Sequence, residues 1–112
     1  MQPDDYGPWC WAAGLFEGEG SFTDAHGRLR LSLKSTDEDV ILRFHAIVGG
    51  KVYGPYQYDQ NDGTTRKPFW LWHSNTDDSH ATATRMLPWL GQRRRARLER
   101  EGITVTPGVR VT

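Results

Sequence analysis

Cysteine is nearly absent from this sequence: Cys10 stands alone among 112 residues. One thiol cannot close an intrachain disulfide, and without a cysteine cluster a thiolate zinc site is excluded. Long apolar runs are missing too. None approaches the roughly eighteen residues that a membrane-spanning helix needs, so no membrane partner is expected. The stretch Met1 to Trp9 holds Asp4 and Asp5 but no Lys or Arg, which argues against a secretory leader. These absences point to a reducing, intracellular compartment, cytoplasmic or nucleoid-associated, and not to secretion. Net charge is also lacking, since 14 basic residues offset 14 acidic ones. A uniformly basic surface for nucleic acid is excluded, although a local one is not.

What remains is ordinary folded material, 37% hydrophobic and 25% charged. Its length suits one domain over residues 1–112 with one small core. Charge is unevenly spread: residues 1–56 hold five basic and eight acidic groups, and residues 57–112 hold nine and six. Five of those nine are Arg93, Arg94, Arg95, Arg97 and Arg100. Guanidinium forks grip phosphate, but such a run equally suits a solvated helix face, and the residues alone leave both open. Five Trp residues signal a core or an interface, because each ring removes a large area from water.

Periodicity divides the chain. Residues 1–7 read as a polar arm, and Pro8 suits a helix start. The following Trp9 to Gly18 is apolar almost all round, so it needs burial on most sides. Its small residues Cys10, Gly14 and Gly18 recur at helical spacing and form a smooth stripe. Glycine within a helix costs about 1 kcal/mol relative to Ala, and close approach of another helix would account for two on one stripe. Ser21 to Ala25 reads as a strand, with a turn at His26-Gly27. Arg28 to Lys34 alternates strictly, with Leu29, Leu31 and Leu33 on one face and Arg28, Arg30, Ser32 and Lys34 on the other. Ser35 to Asp39 starts a helix that Gly49-Gly50 ends. Lys51 to Tyr58 is strand-like but interrupted by Gly54-Pro55, and Phe69 to Ser74 is a fourth strand. Trp70 and Trp72 share a face suited to core packing. Thr76-Asp77-Asp78 opens a further helix, Pro88 bends or ends it, and Gln92 to Glu101 forms a basic last helix. The tail 102–112 reads as extended or loose. The expected class is α+β, ordered αββαββα with a short extra helix. Four antiparallel strands form one sheet, with helices on one face.

The segment Ala12-Ala13-Gly14-Leu15-Phe16-Glu17-Gly18-Glu19-Gly20 closely resembles the signature motif of LAGLIDADG homing endonucleases. Gly14, Leu15 and Gly20 match its letters, Ala13 matches its first alanine, and Glu17 and Glu19 fill its two acidic positions in place of Asp. The αββαββα order is that family's order. Met86-Leu87-Pro88-Trp89-Leu90-Gly91 and the basic helix after it look like the family's Pro-aromatic-Leu segment. The resemblance covers about residues 9 to 101.

Only one motif copy is present, and single-motif members are homodimers. The resemblance therefore implies a saddle-shaped sheet in each of two copies and a paired helix face built from Cys10, Ala13, Gly14, Glu17 and Gly18. It implies site-specific, metal-dependent cleavage of double-stranded DNA at a palindromic or pseudo-palindromic target, in the manner of intron homing. Glu19 and the Gly18 carbonyl are the implied ligands of Mg2+ or Mn2+. Glu is one methylene longer than Asp, which shifts a bound metal by about 1 Å. Arg93 is the implied basic residue at the scissile phosphate, with charge stabilisation as its role. Arg28, Arg30, Ser32, Lys34, Ser35, Arg66, Lys67, His73, Arg94 and Arg95 are the expected DNA contacts. Two other functions fit the same scaffold: a DNA-binding regulator that does not cut, and an RNA-splicing maturase.

Overall fold

The computed structural model describes residues 3–25, 27–57 and 67–103. In chain order it holds helix α1 (Pro3–Glu19), strands β1 (Gly20–Ala25) and β2 (Arg28–Ser35), helix α2 (Glu38–Val48), strands β3 (Lys51–Tyr56) and β4 (Phe69–His73), helix α3 (Ser79–Met86), a 3-10 turn at Leu87–Trp89, and helix α4 (Gln92–Arg100). The strands form one antiparallel sheet in the order β1-β2-β4-β3. Both expected hairpins are present. They meet along β2 and β4, where Leu33 pairs with Trp72 and Ser35 with Trp70.

The alternation of β2 decides which face of the sheet is covered. Leu29, Leu31 and Leu33 are buried, while Arg28 and Lys34 are exposed. Every helix adds to the layer over the leucine side: Phe16 from α1, Phe44 from α2, Met86 from α3 and Leu98 from α4 share one core with Trp72. The Phe44 and Trp72 rings meet edge to face at 4.7 Å, a favoured aromatic geometry. Trp72 donates its indole N–H to the Gly49 carbonyl at 2.7 Å, so its one polar atom is satisfied at the end of α2. Trp70 packs against the same core, as its shared face with Trp72 led us to expect.

Two boundaries differ from the sequence reading. Helix α1 begins at Pro3, so most of the expected arm is helical. Pro3 offers the same first-turn signal as Pro8 but earlier in the chain. At the other end, the chain stays ordered past Gly102. Gly102 takes φ +82, its N–H bonds to the Glu99 carbonyl, and the Ile103 N–H bonds to the Leu98 carbonyl. This paired closure stops a helix and tucks the following apolar residue inward, and Ile103 accordingly joins the core. Residues 104–112 of the expected loose tail lie outside the described residues.

Gly20, where α1 gives way to β1, is a close-packed point. A Cβ there would sit 2.3 Å from the Phe16 ring, whereas one at Gly14 would meet nothing within 4 Å. Gly20→Ala should therefore lower the free energy of unfolding in urea by about 1–3 kcal/mol. Gly14→Ala, measured at low protein concentration, should raise it by up to about 1 kcal/mol. Similar effects of the two substitutions would contradict this packing.

Candidate nucleic-acid interface

Strand pairing collects residues from all four strands on the face that the helices leave bare. Thr23 pairs with Arg30 and Ser21 with Ser32. Ser32 pairs in turn with His73, and Lys34 with Leu71. Lys51 pairs with His73 and Tyr53 with Leu71. Arg28, Arg30, Ser32, Lys34 and His73, expected from sequence, thus lie together. Lys51, Tyr53 and Tyr56 belong with them and were missed. Their signal was the two-residue period of Lys51 and Tyr53, which a bulge between Tyr53 and Tyr56 interrupts.

The groups on this face differ in how free they are. Arg28 is ion-paired with Asp77 at 2.5 Å, both ends exposed. The Lys34 ammonium lies 4.2 Å from the centroid of the Phe69 ring. Arg30 has its Nε out of solvent with no hydrogen-bond partner. Burial first, and the nearby Arg30 guanidinium second, hold His73 below the ordinary histidine value of 6.5, which favours the neutral imidazole. Lys67 is exposed just before β4, while Arg66 lies outside the described residues. Ser35 does not join the face. Strand alternation turns it to the leucine side, opposite Trp70, and its hydroxyl accepts from the Asp37 N–H at 3.0 Å, bracing the entry to α2.

The basic helix α4 divides by its periodicity. Leu98 is its buried residue, so Arg94, one turn earlier, also points inward. The Arg94 Nε donates to the Glu17 carbonyl at 3.1 Å and lies 3.3 Å from the Glu17 carboxylate. Its guanidinium sits 5.5 Å over the Phe16 ring, and its side chain is only 12% exposed. Arg94 is therefore a brace between α4 and α1, which corrects its expected role as a DNA contact. The lone leucine of α4 was the signal that could have shown this. Arg97 is ion-paired with Glu101 and holds that carboxyl below the usual carboxylate range. Arg93 and Arg100 line a shallow recess with Gly20 and Ser21 at the start of β1. Arg95 lies on another side of the helix, with Gln92 and Glu99, away from the sheet residues.

Helix α1 supplies the remaining candidates. Cys10, Gly14, Gly18 and Glu19 are exposed. Ala13 is fully buried in the chain's own core and has no surface to offer a second copy, which removes it from the expected paired face. Glu17 is committed within the chain as well, because its carboxylate accepts the Gly91 N–H at 2.9 Å besides pairing with Arg94. These contacts make Glu17 part of the helix-end structure, and the paired-face assignment is withdrawn. Glu19 lines a groove with Leu15, Leu33, Lys34 and Ser35. Folding thereby brings the proposed acid beside the end of the basic strand.

No protein-family model matches the chain, and no curated protein matches it significantly.

His73 offers a direct check of the electrostatics. Followed by NMR, it should titrate below 6.5, and Arg30→Met should raise the midpoint only in part, because burial is the larger cause. Between the unfolded value near 6.5 and the lower folded midpoint, the unfolded chain binds more protons. Stability should therefore rise with pH through that window and be lost on acidification. A midpoint at or above 6.5 would contradict the geometry.

Proposed function

We propose that this chain is a site-specific double-strand DNA endonuclease that acts as a homodimer, with Glu19 as the acid that holds a divalent cation. The observation that carries the reading is the bare side of α1. The helix is apolar nearly all round, yet Cys10, Gly14 and Gly18 face solvent, and Glu19 ends the same helix beside the basic sheet. A second copy on that stripe allows close backbone approach, removes the exposed face from water, and sets two Glu19 carboxylates near one symmetry axis. Two sheets then lie side by side as one longer surface for a duplex with matching symmetry. The likeness of residues 12–20 to the LAGLIDADG motif supports the same arrangement.

The donors suit a hard cation. The Glu19 carboxylate is exposed, and the Gly18 carbonyl lies in the last turn of α1, where carbonyls lack helical partners. Among the described residues of one chain, no three His, Cys, Asp or Glu converge on a metal position. A cation there would be held by Glu19 and the Gly18 carbonyl of each of two copies and would take its other oxygens from water and phosphate. Mg2+ or Mn2+ held there supplies charge neutralisation at the phosphate and a more acidic water. The chain's own residues do the positioning. Arg30, Ser32 and Lys34 meet phosphates and base edges. Arg93, permanently charged and exposed near the start of β1, stabilises the charge that builds on the phosphate during displacement.

The test uses supercoiled plasmid carrying the DNA that flanks the gene. Linear product should form with Mg2+ and not without it. Glu19→Gln should slow cutting by about 100-fold or more while the gel shift persists. A gel shift with no cutting by the wild type would favour the non-cleaving regulator. In sedimentation, the wild type should form dimers and Gly14→Leu should be monomeric but folded, since a Cβ at Gly14 meets nothing in its own chain. A wild-type mass of one chain at every concentration, target DNA included, overturns the reading.

A further inference from the structure

One half of the open face is poorly suited to paired DNA. Across β1 and β2 the face is polar, with Ser21, Thr23, Arg30 and Ser32, which suits hydrogen bonding to base edges. Across β3 and β4 it is aromatic. Tyr53 and Tyr56 are 41% and 42% exposed. Tyr56 lies 5.6 Å from Phe69 and Tyr53 5.6 Å from His73, centroid to centroid. In a duplex the flat side of each base is hidden in the stack and only its edge is displayed. An exposed ring gains most from the π face of a base that has left the stack.

The charges around these rings point the same way. Lys34 lies over Phe69, and Lys51 and Arg30 border Tyr53 and His73. Among the described residues none of these three cations has a carboxylate partner, and the Arg30 Nε lacks any hydrogen-bond partner. Rings interleaved with unpaired cations match a polyanion whose π faces are free. A hollow of about 500 Å³ has Arg30, Lys51, Tyr53 and His73 on its sheet side and Asp77 and Asp78 on the other, with Asp77 already paired with Arg28, and it is large enough for one base-sized group.

We propose that the β3–β4 half of the open face stacks unpaired bases of a DNA strand that opens out of the duplex held by the β1–β2 half. The proposal rests on the duplex reading for the neighbouring half. DNA is the committed ligand because one strand then runs without a break from the polar half to the aromatic half.

The test compares four fluorescently labelled probes by anisotropy: a duplex of the flanking sequence, the same duplex with a three-base central bubble, its single strand, and the matching RNA strand. The wild type should bind the bubble about fivefold or more tighter than the full duplex. Tyr53→Ala combined with Tyr56→Ala should abolish that preference, so that bubble and duplex bind the variant equally well. Tyr53→Phe with Tyr56→Phe keeps the rings and should keep the preference, and circular dichroism checks that both variants fold. Equal affinity for bubble and duplex overturns the proposal, as does a preference that survives the alanine variant. Tighter binding of RNA than of single-stranded DNA also overturns it. Binding of the bubble and the single strand with none of the duplex upholds the stacking half and sinks the duplex reading alone.

Discussion

Helix α1 is apolar through most of Trp9 to Phe16, and the other described residues cover one side of it. Trp9, Ala12, Ala13 and Phe16 go into the core, and the rest of the molecule is arranged around that commitment. The Phe16 ring occupies the space that a side chain at position 20 would need, so the chain turns from helix to strand there on a glycine. Glu17 reaches across to the start of α4 and receives both a backbone N–H and a guanidinium. Glu19 is left at the end of the helix and at the edge of the basic strand. The positions of Glu17, Glu19 and Gly20 follow from how this one helix is buried and from where its burial stops.

The sheet works as a partition. Its covered side is built from leucines and Trp72, and its open side gathers cations that are distant in sequence. Strand order matters here, because β2 and β4 are central neighbours and so Arg30 comes close enough to His73 to act on its protonation. The open side is itself divided into a polar half and an aromatic half. Tyr53, Tyr56 and the cations are turned away from the leucine side, and this is why we read the division as recognition rather than packing.

Much of this was legible in the sequence where a local period carries the information. The alternation in β2 is a pattern that no helix would bury, and it correctly separated Leu29, Leu31 and Leu33 from Arg28, Arg30 and Lys34. The apolar spacing of α2 and its Gly49-Gly50 end were readable for the same reason. What was not legible depended on contacts between distant segments. Arg94 looks like its neighbours in a run of arginines, and only its bond to Glu17 distinguishes it. Ala13 and Gly14 are adjacent small residues, yet the core lies on one side of the helix and solvent on the other. Ser35 was placed by resemblance, and strand parity puts it on the opposite side. Tyr53 and Tyr56 were obscured because a bulge breaks the two-residue count.

The Arg28–Asp77 pair has a consequence of its own. Arg28 already carries an anion, supplied by the segment between β4 and α3. On the proposed DNA-binding reading, a phosphate arriving at Arg28 would compete with that carboxylate, so the encounter would be an exchange of ligands rather than a first neutralisation. A swap between two similarly solvated anions nearly cancels in free energy, and it succeeds only where geometry lets the newcomer form the better fork. On that reading Arg28 would reward alignment more than it would add grip.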